Sequence, residues 1–243
     1  MTIGNIWGNV DNEKMQEKFD EVSPKFNEIR EILTQLHTDL INKIPEKASS
    51  GGLDEFTEGI KFQLGGSNKR TIEDVNLMCL DVTHSYSKAL VHFDNLNDLS
   101  PQSENYSSET YWFQYNAQVA IRQLGTLDDY LYRYINEFNE YNVENSNWFK
   151  NDVKDSLRDD NKAKVADALE VKDKMLQKYR NDITHNFNIF RNRVVTQETD
   201  DKGITAIGLS NATIPNNQKF IDDFEGMISS TNDKYKAVHR LNK

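Results

Sequence analysis

The sequence predicts an all-α protein: an antiparallel helical bundle with a small β-hairpin insertion near the C-terminus. Two patterns and one compositional fact point there. Apolar residues recur at steps of three and four over several long stretches, the spacing that gives a helix one buried face. That period gives way to β-type signals in one place, about residues 194–208, around a glycine-containing turn. The chain is also very polar, with 28% charged residues and a mean hydropathy of -0.76, yet 10% of it is aromatic. Disordered chains of such polarity are poor in aromatics, so the polar residues read as solvated faces of a folded bundle. A length of 243 residues suffices for one domain with a sizeable core, and a single domain over 1–243 is expected.

The elements follow in order. From 11 to 44, Met15, Phe19, Val22, Phe26, Ile29, Leu33, Leu36 and Leu40 form one apolar seam. Pro24 falls inside it and either kinks one helix or opens a second with Ser23 as cap; the seam keeps its phase across Pro24, which favours one kinked helix. Residues 45–70 carry Pro45, Gly51-Gly52 and Gly65-Gly66 and read as a long connection; the glycines do not have phosphate-loop spacing. A second helix starts at Thr71, with Asp74 completing a capping box, and buries Ile72, Val75, Cys79, Val82, Tyr86, Leu90 and Phe93. After a polar loop, a third helix spans about 109–141, with Gly125 inside its apolar pattern as a point of close packing. Trp148, Phe149, Val153 and Leu157 suggest a short helix. The next helix covers about 161–190, with Val165, Leu169, Leu176, Tyr179 and Ile183 as its stripe. Strands at Val194–Thr199 and Ile204–Ile207 flank Asp200-Asp201-Lys202-Gly203, and a last helix covers about 216–240.

Charge narrows the function. A net charge of -10 excludes a general nucleic-acid coat protein, which would be basic throughout. The lone Cys79 excludes an internal disulfide and a cysteine-rich metal site, and its apolar neighbours mark a buried structural thiol. No signal peptide and no membrane-spanning stretch is evident, so no membrane partner and a cytoplasmic location are expected. Against this acidic background, residues 172–193 hold six basic side chains (Lys172, Lys174, Lys178, Arg180, Arg191, Arg193) and two acidic ones (Asp173, Asp182), a local charge of +4. Within that island stands Arg180-Asn181-Asp182-Ile183-Thr184-His185.

Arginine holds phosphate through two parallel hydrogen bonds, and histidine moves protons near neutral pH. Together they meet two needs of RNA cleavage by the neighbouring 2′-hydroxyl: a proton acceptor and a cation on the crowded phosphorane. No carboxylate cluster has metal-ligand spacing, so no metal and no cofactor are expected. A step of five residues leaves two positions of a straight helix about 140° apart. Arg180 and His185 therefore meet only if the helix ends or distorts between them, or if the pair forms across two chains at a two-fold interface. The composition gives about 0.2 chance matches to Arg-x4-His, and requiring Asn after Arg lowers this to roughly 0.02. Arg30 and His37 form a looser pair inside the first seam and are set aside.

The Arg180-Asn181-x-x-x-His185 stretch resembles the Arg, polar, x, x, x, His signature of HEPN domains, all-α bundles of prokaryotic toxins, phage-defence proteins and RNA-processing factors. The resemblance covers the helices around 161–190; the hairpin and last helix are additions to a minimal HEPN bundle. It implies a homodimer with both copies lining a cleft, a metal-independent endoribonuclease acting on RNA, and an antitoxin or other regulatory protein as partner. Arg180 and His185 would be the catalytic pair and Asn181 the polar position. Lys178, Arg191 and Arg193 would contact RNA phosphates, the bland alternative being a solvated helix face and strand entry. Tyrosine often stands two residues after the histidine in HEPN toxins paired with a nucleotidyltransferase; here it is Phe187, which has no hydroxyl to adenylylate. Two other readings stay open: a HEPN fold that binds RNA or nucleotide without cutting, and an all-helical interaction scaffold whose Arg180 and His185 merely suit a helix C-terminus.

Overall fold

A computed structural model describes residues 10–42, 72–185, 194–199, 205–210 and 217–240. The described chain is mostly helical, as the stepping of its apolar residues requires. Helix α1 spans Asn12–Asn42, α2 Ile72–Asp98, α3 Tyr106–Phe138, α4 Phe149–Asp159, α5 Ala163–His185 and α6 Asn217–His239. Backbone segments β1 (Val194–Thr199) and β2 (Thr205–Ser210) lie antiparallel, with Val194 opposite Ser210 and Thr199 opposite Thr205. The 45–70 connection, Thr71 and the 186–193 end of the expected motif helix lie outside the described residues, as does the side chain of Asp74.

The long helices alternate in direction. Lys18 near the start of α1 reaches Asp94 near the end of α2 at 2.9 Å, and Lys14 reaches Asn95 at 3.1 Å. His92 and Asn95 meet Glu109 at the start of α3. Asn139, just past α3, meets Lys162 just before α5, while Asp129 further back meets Arg180 further on. Helix α6 runs with α1 and α3: Lys25 pairs with Glu225 and Lys236 with Glu28, and Phe113 meets Phe220 where Asp128 meets Lys234. Short connections between α2 and α3 and between α4 and α5 favour this up-and-down order.

The seams read from the sequence supply most of the core, with Met15, Phe19, Phe93, Phe138, Val165 and Tyr179 only partly buried and the side chains of Leu40, Ile72 and Val75 outside the described residues. Val22, Phe26, Ile29, Leu33 and Leu36 of α1 are buried, with Cys79, Val82, Tyr86 and Leu90 of α2. Phe113, Ala117, Ala120, Leu124, Leu127 and Leu131 of α3 join Phe220, Phe224, Met227, Tyr235 and Val238 of α6. Each fully buried large aliphatic or aromatic side chain contributes about 1.5–3 kcal/mol. Helix α1 is a single element through Pro24, whose ring sits on the exposed face. Proline has no N–H to bond four residues back; facing water, the carbonyl it leaves unpaired is solvated. Cys79 is buried as expected, and burial pushes its thiol up to about 12. The short fourth helix begins one residue later than its aromatic pair suggests: Trp148 precedes it and is 68% exposed, while Val153 and Leu157 anchor the helix on the core.

Candidate functional site

Three helices converge on a cleft of about 240 Å³. Helix α3 contributes Asp128; α4 contributes Lys150, Asn151 and Lys154; α5 contributes Leu176, Gln177, Arg180 and Asn181. Each arrives for a local reason. On α4, Val153 and Leu157 point into the core, so Lys150, Asn151 and Lys154 fall along the edge facing α5 and α3. On α5, Leu176 and Ile183 are buried, and positions 177, 180 and 181 share the flank beside that stripe. Ordinary ligand pockets enclose about 300–1,000 Å³, so the cleft suits one group of a larger ligand.

The cleft rests on a chain of charges. Lys234 of α6, 1% exposed, reaches Asp128 Oδ1 at 2.5 Å. Lys150 bonds the other Asp128 oxygen and also meets Asp129 Oδ1 at 2.8 Å. Arg180 closes the chain by donating from both Nη atoms to the two Asp129 oxygens, at 2.9 and 3.0 Å. Lys150 also lies over the Tyr132 ring, 4.9 Å from its centre. Burial alone would raise the Asp128 carboxyl, but Lys150 and Lys234 overcome it and hold the group below its usual range. Burial opposes the charge on Lys150, and Asp128 and Asp129 together raise its pKa above the ordinary lysine value. Among the residues that line the cleft, Lys150, Lys154 and Arg180 are basic and Asp128 is acidic, so the lining carries a formal excess of two positive charges.

Gly125 explains how Arg180 lies so close to α3. A Cβ at that position would stand 2.7 Å from Arg180 Cδ and 2.8 Å from Nε. The close packing expected at this glycine is thus the crossing of the Arg180 side chain over α3.

The predicted site residues separate into groups. Arg180 and Asn181 both line the cleft. His185 is the last residue of α5, and the helix runs unbroken from Ala163 to it. That removes a distortion between positions 180 and 185 as a way of joining them; on one continuous helix they stand about 140° apart. The His185 side chain, like Arg191, Arg193 and Phe187, lies outside the described residues. Lys178 is exposed and lines no part of the cleft; its charge acts on Asp223 of α6, which accepts hydrogen bonds from Lys219 at 2.6 Å and from the Tyr179 hydroxyl at 2.5 Å. Tyr179 belongs to the core margin, edge-on to Phe220. His92 is a satisfied core histidine, buried, bonded to Glu109 at 2.7 Å and stacked near Trp112.

Sequence reasoning missed Asp128, Asp129, Lys150, Lys154 and Lys234. A signal existed for three of them. Asp128 follows Leu124 by four and precedes Leu131 by three, so it sits on the buried face of its helix; Lys234 stands three after Thr231 and four before Val238, and Lys154 sits beside Val153. A charge on an apolar face must find a partner, because an isolated buried ion is too costly.

Among the described residues, no helix is long and apolar enough to cross a membrane. Comparison with protein-family models, with curated proteins and with solved structures found no match.

Proposed function

We propose that this chain is a HEPN-type, metal-independent endoribonuclease that works as a homodimer, with Arg180, Asn181 and His185 as its motif residues. The observation that carries the reading is the cleft. The Arg-Asn dipeptide of the motif lines a recess with Lys150 and Lys154, two amides and a net positive charge, inside a chain of net charge -10. Such a recess attracts a phosphate group and orients it. Asp129 accepts from both Nη atoms of Arg180, which orients the guanidinium at the edge of the cleft. The separation of positions 180 and 185 around one helix supports a site completed by a second copy, with Arg180 of one chain serving with the histidine of the other. In that site the 2′-hydroxyl of RNA gives its proton to a histidine and attacks the adjacent phosphorus. The 5′-oxygen leaves with a proton from the second histidine, and arginine stabilises the phosphorane. The β1–β2 pair is then a hairpin added to the bundle, and the setting is a prokaryotic toxin–antitoxin or phage-defence system in the cytoplasm.

One observation favours a second reading. The Arg180–Asp129 pair ties α5 to α3, which gives Arg180 a structural purpose in a protein that binds RNA or nucleotide without cutting, or that serves as a scaffold. Expression of wild type, Arg180→Ala and His185→Ala separates the two. The ribonuclease arrests growth and degrades RNA as wild type, in lysate and purified with chelator, while both variants leave RNA intact. Equal growth and intact RNA for all three chains would overturn the ribonuclease reading in favour of the second.

A further inference from the structure

We infer that Gly125 and Asp129 form a clamp on α3 that presents the Arg180 guanidinium to a phosphate in the cleft, which makes both of them positioning residues. The inference rests on the reading of the cleft as an RNA-phosphate site and adds how its arginine is aimed.

An arginine side chain has many rotamers, and a cation that must meet a phosphate in one geometry gains from losing them before the ligand arrives. Two contacts restrict Arg180. Its Cδ and Nε cross α3 over Gly125, where a Cβ would stand at 2.7 and 2.8 Å, closer than side chains pack. Its two Nη atoms face the two Asp129 oxygens at 2.9 and 3.0 Å, which fixes the plane of the fork as well as its position. Gly125 and Asp129 are four residues apart on one helix, so the bed and the acceptor lie one turn from each other along the same face. Asp129 is itself held: Lys150 reaches its Oδ1 at 2.8 Å and ties it to Asp128 and thence to Lys234 in the core. The acceptor of the clamp therefore does not swing with a surface side chain.

Glycine is otherwise a poor residue for the middle of a 33-residue helix. Its presence is accounted for by the arginine lying across it. An added methyl would strike the far part of a flexible side chain, so Gly125→Ala moves Arg180 while leaving the helix intact.

The test uses the full chain as wild type, Gly125→Ala, Asp129→Asn and Arg180→Ala. Each is given a short single-stranded RNA and its all-2′-deoxy counterpart, which binds but has no 2′-hydroxyl to attack. Melting is recorded alongside. The clamp predicts that Gly125→Ala and Asp129→Asn melt close to wild type, keep KM within a few-fold and lose kcat by up to about 100-fold, the scale of a 1 Å misplacement. If wild type cuts and both variants cut as well per folded molecule, the clamp is overturned and the ribonuclease reading stands. If wild type does not cut, that reading fails and the clamp is judged on the deoxy strand. Binding weakened in both variants about as much as in Arg180→Ala upholds it; binding unchanged from wild type overturns it. A variant that simply melts early with unchanged activity of its folded fraction likewise marks a structural pair and overturns the clamp.

Discussion

Asp128 and Asp129 are consecutive residues of α3 with opposite surroundings. The Asp128 side chain is 2% exposed and lies between Lys150 and Lys234; that of Asp129 is 36% exposed and pairs with both Lys150 and Arg180. A single residue step separates inside from rim, because adjacent positions differ by about 100°. The inner carboxylate is almost wholly buried and has a lysine beneath it that is 1% exposed, so its bonds tie α3 to α6. The outer one orients a cation beside an open cleft, where a ligand can use it. A charge network can therefore serve stability at one end and a site at the other, with Lys150 as the joint.

The largest effect should follow from cutting the inner end. Asp128→Ala removes the carboxylate that buried Lys234 bonds, and losing one partner of a buried pair costs about 3–5 kcal/mol. Urea unfolding should show that loss; a cost below about 1 kcal/mol would place Asp128 with the surface pairs and dissolve the contrast. Next comes pH. The folded Asp128 carboxyl lies below the ordinary aspartate value of about 3.9, so its contribution is complete above that value and fades as pH falls through the folded one. Asp128→Asn should flatten the dependence of unfolding free energy on pH between about pH 5 and pH 2; an unchanged slope means other carboxylates carry it. The smallest effect on stability belongs to the outer end. Arg180→Ala removes a pair whose side chains are 37% and 36% exposed, and its cost should be within about 1 kcal/mol by the same unfolding measurement, while the proposed ribonuclease would lose RNA cutting. A loss of the Asp128 size would make the outer pair part of the scaffold as well.

Much of the helical frame was legible because amphipathic periodicity is local: a seam such as Val22–Phe26–Ile29–Leu33 needs no knowledge of its partner. The candidate motif was legible too, since Arg180, Asn181 and His185 lie within six residues. Its surroundings were not. Lys150 was read only as part of a short amphipathic helix, and Lys154 and Lys234 resembled other lysines in a chain that is 28% charged. Gly125 lies between: the sequence flagged a close approach without saying to what.

By itself, then, the sequence determined which stretches are helical, which face of each is buried, and that a basic island surrounds an Arg-Asn-x3-His stretch in an acidic chain. Only the tertiary structure decided that Arg180 lies over Gly125 against Asp129, 51 residues away, and that Asp128 is secured by Lys234, 106 residues away. The physical reason is one of range. Helix periodicity is imposed by hydrogen bonds four residues apart, whereas ion pairs form wherever packing brings opposite charges to within about 4 Å. In this bundle that happens where α3, α4, α5 and α6 meet.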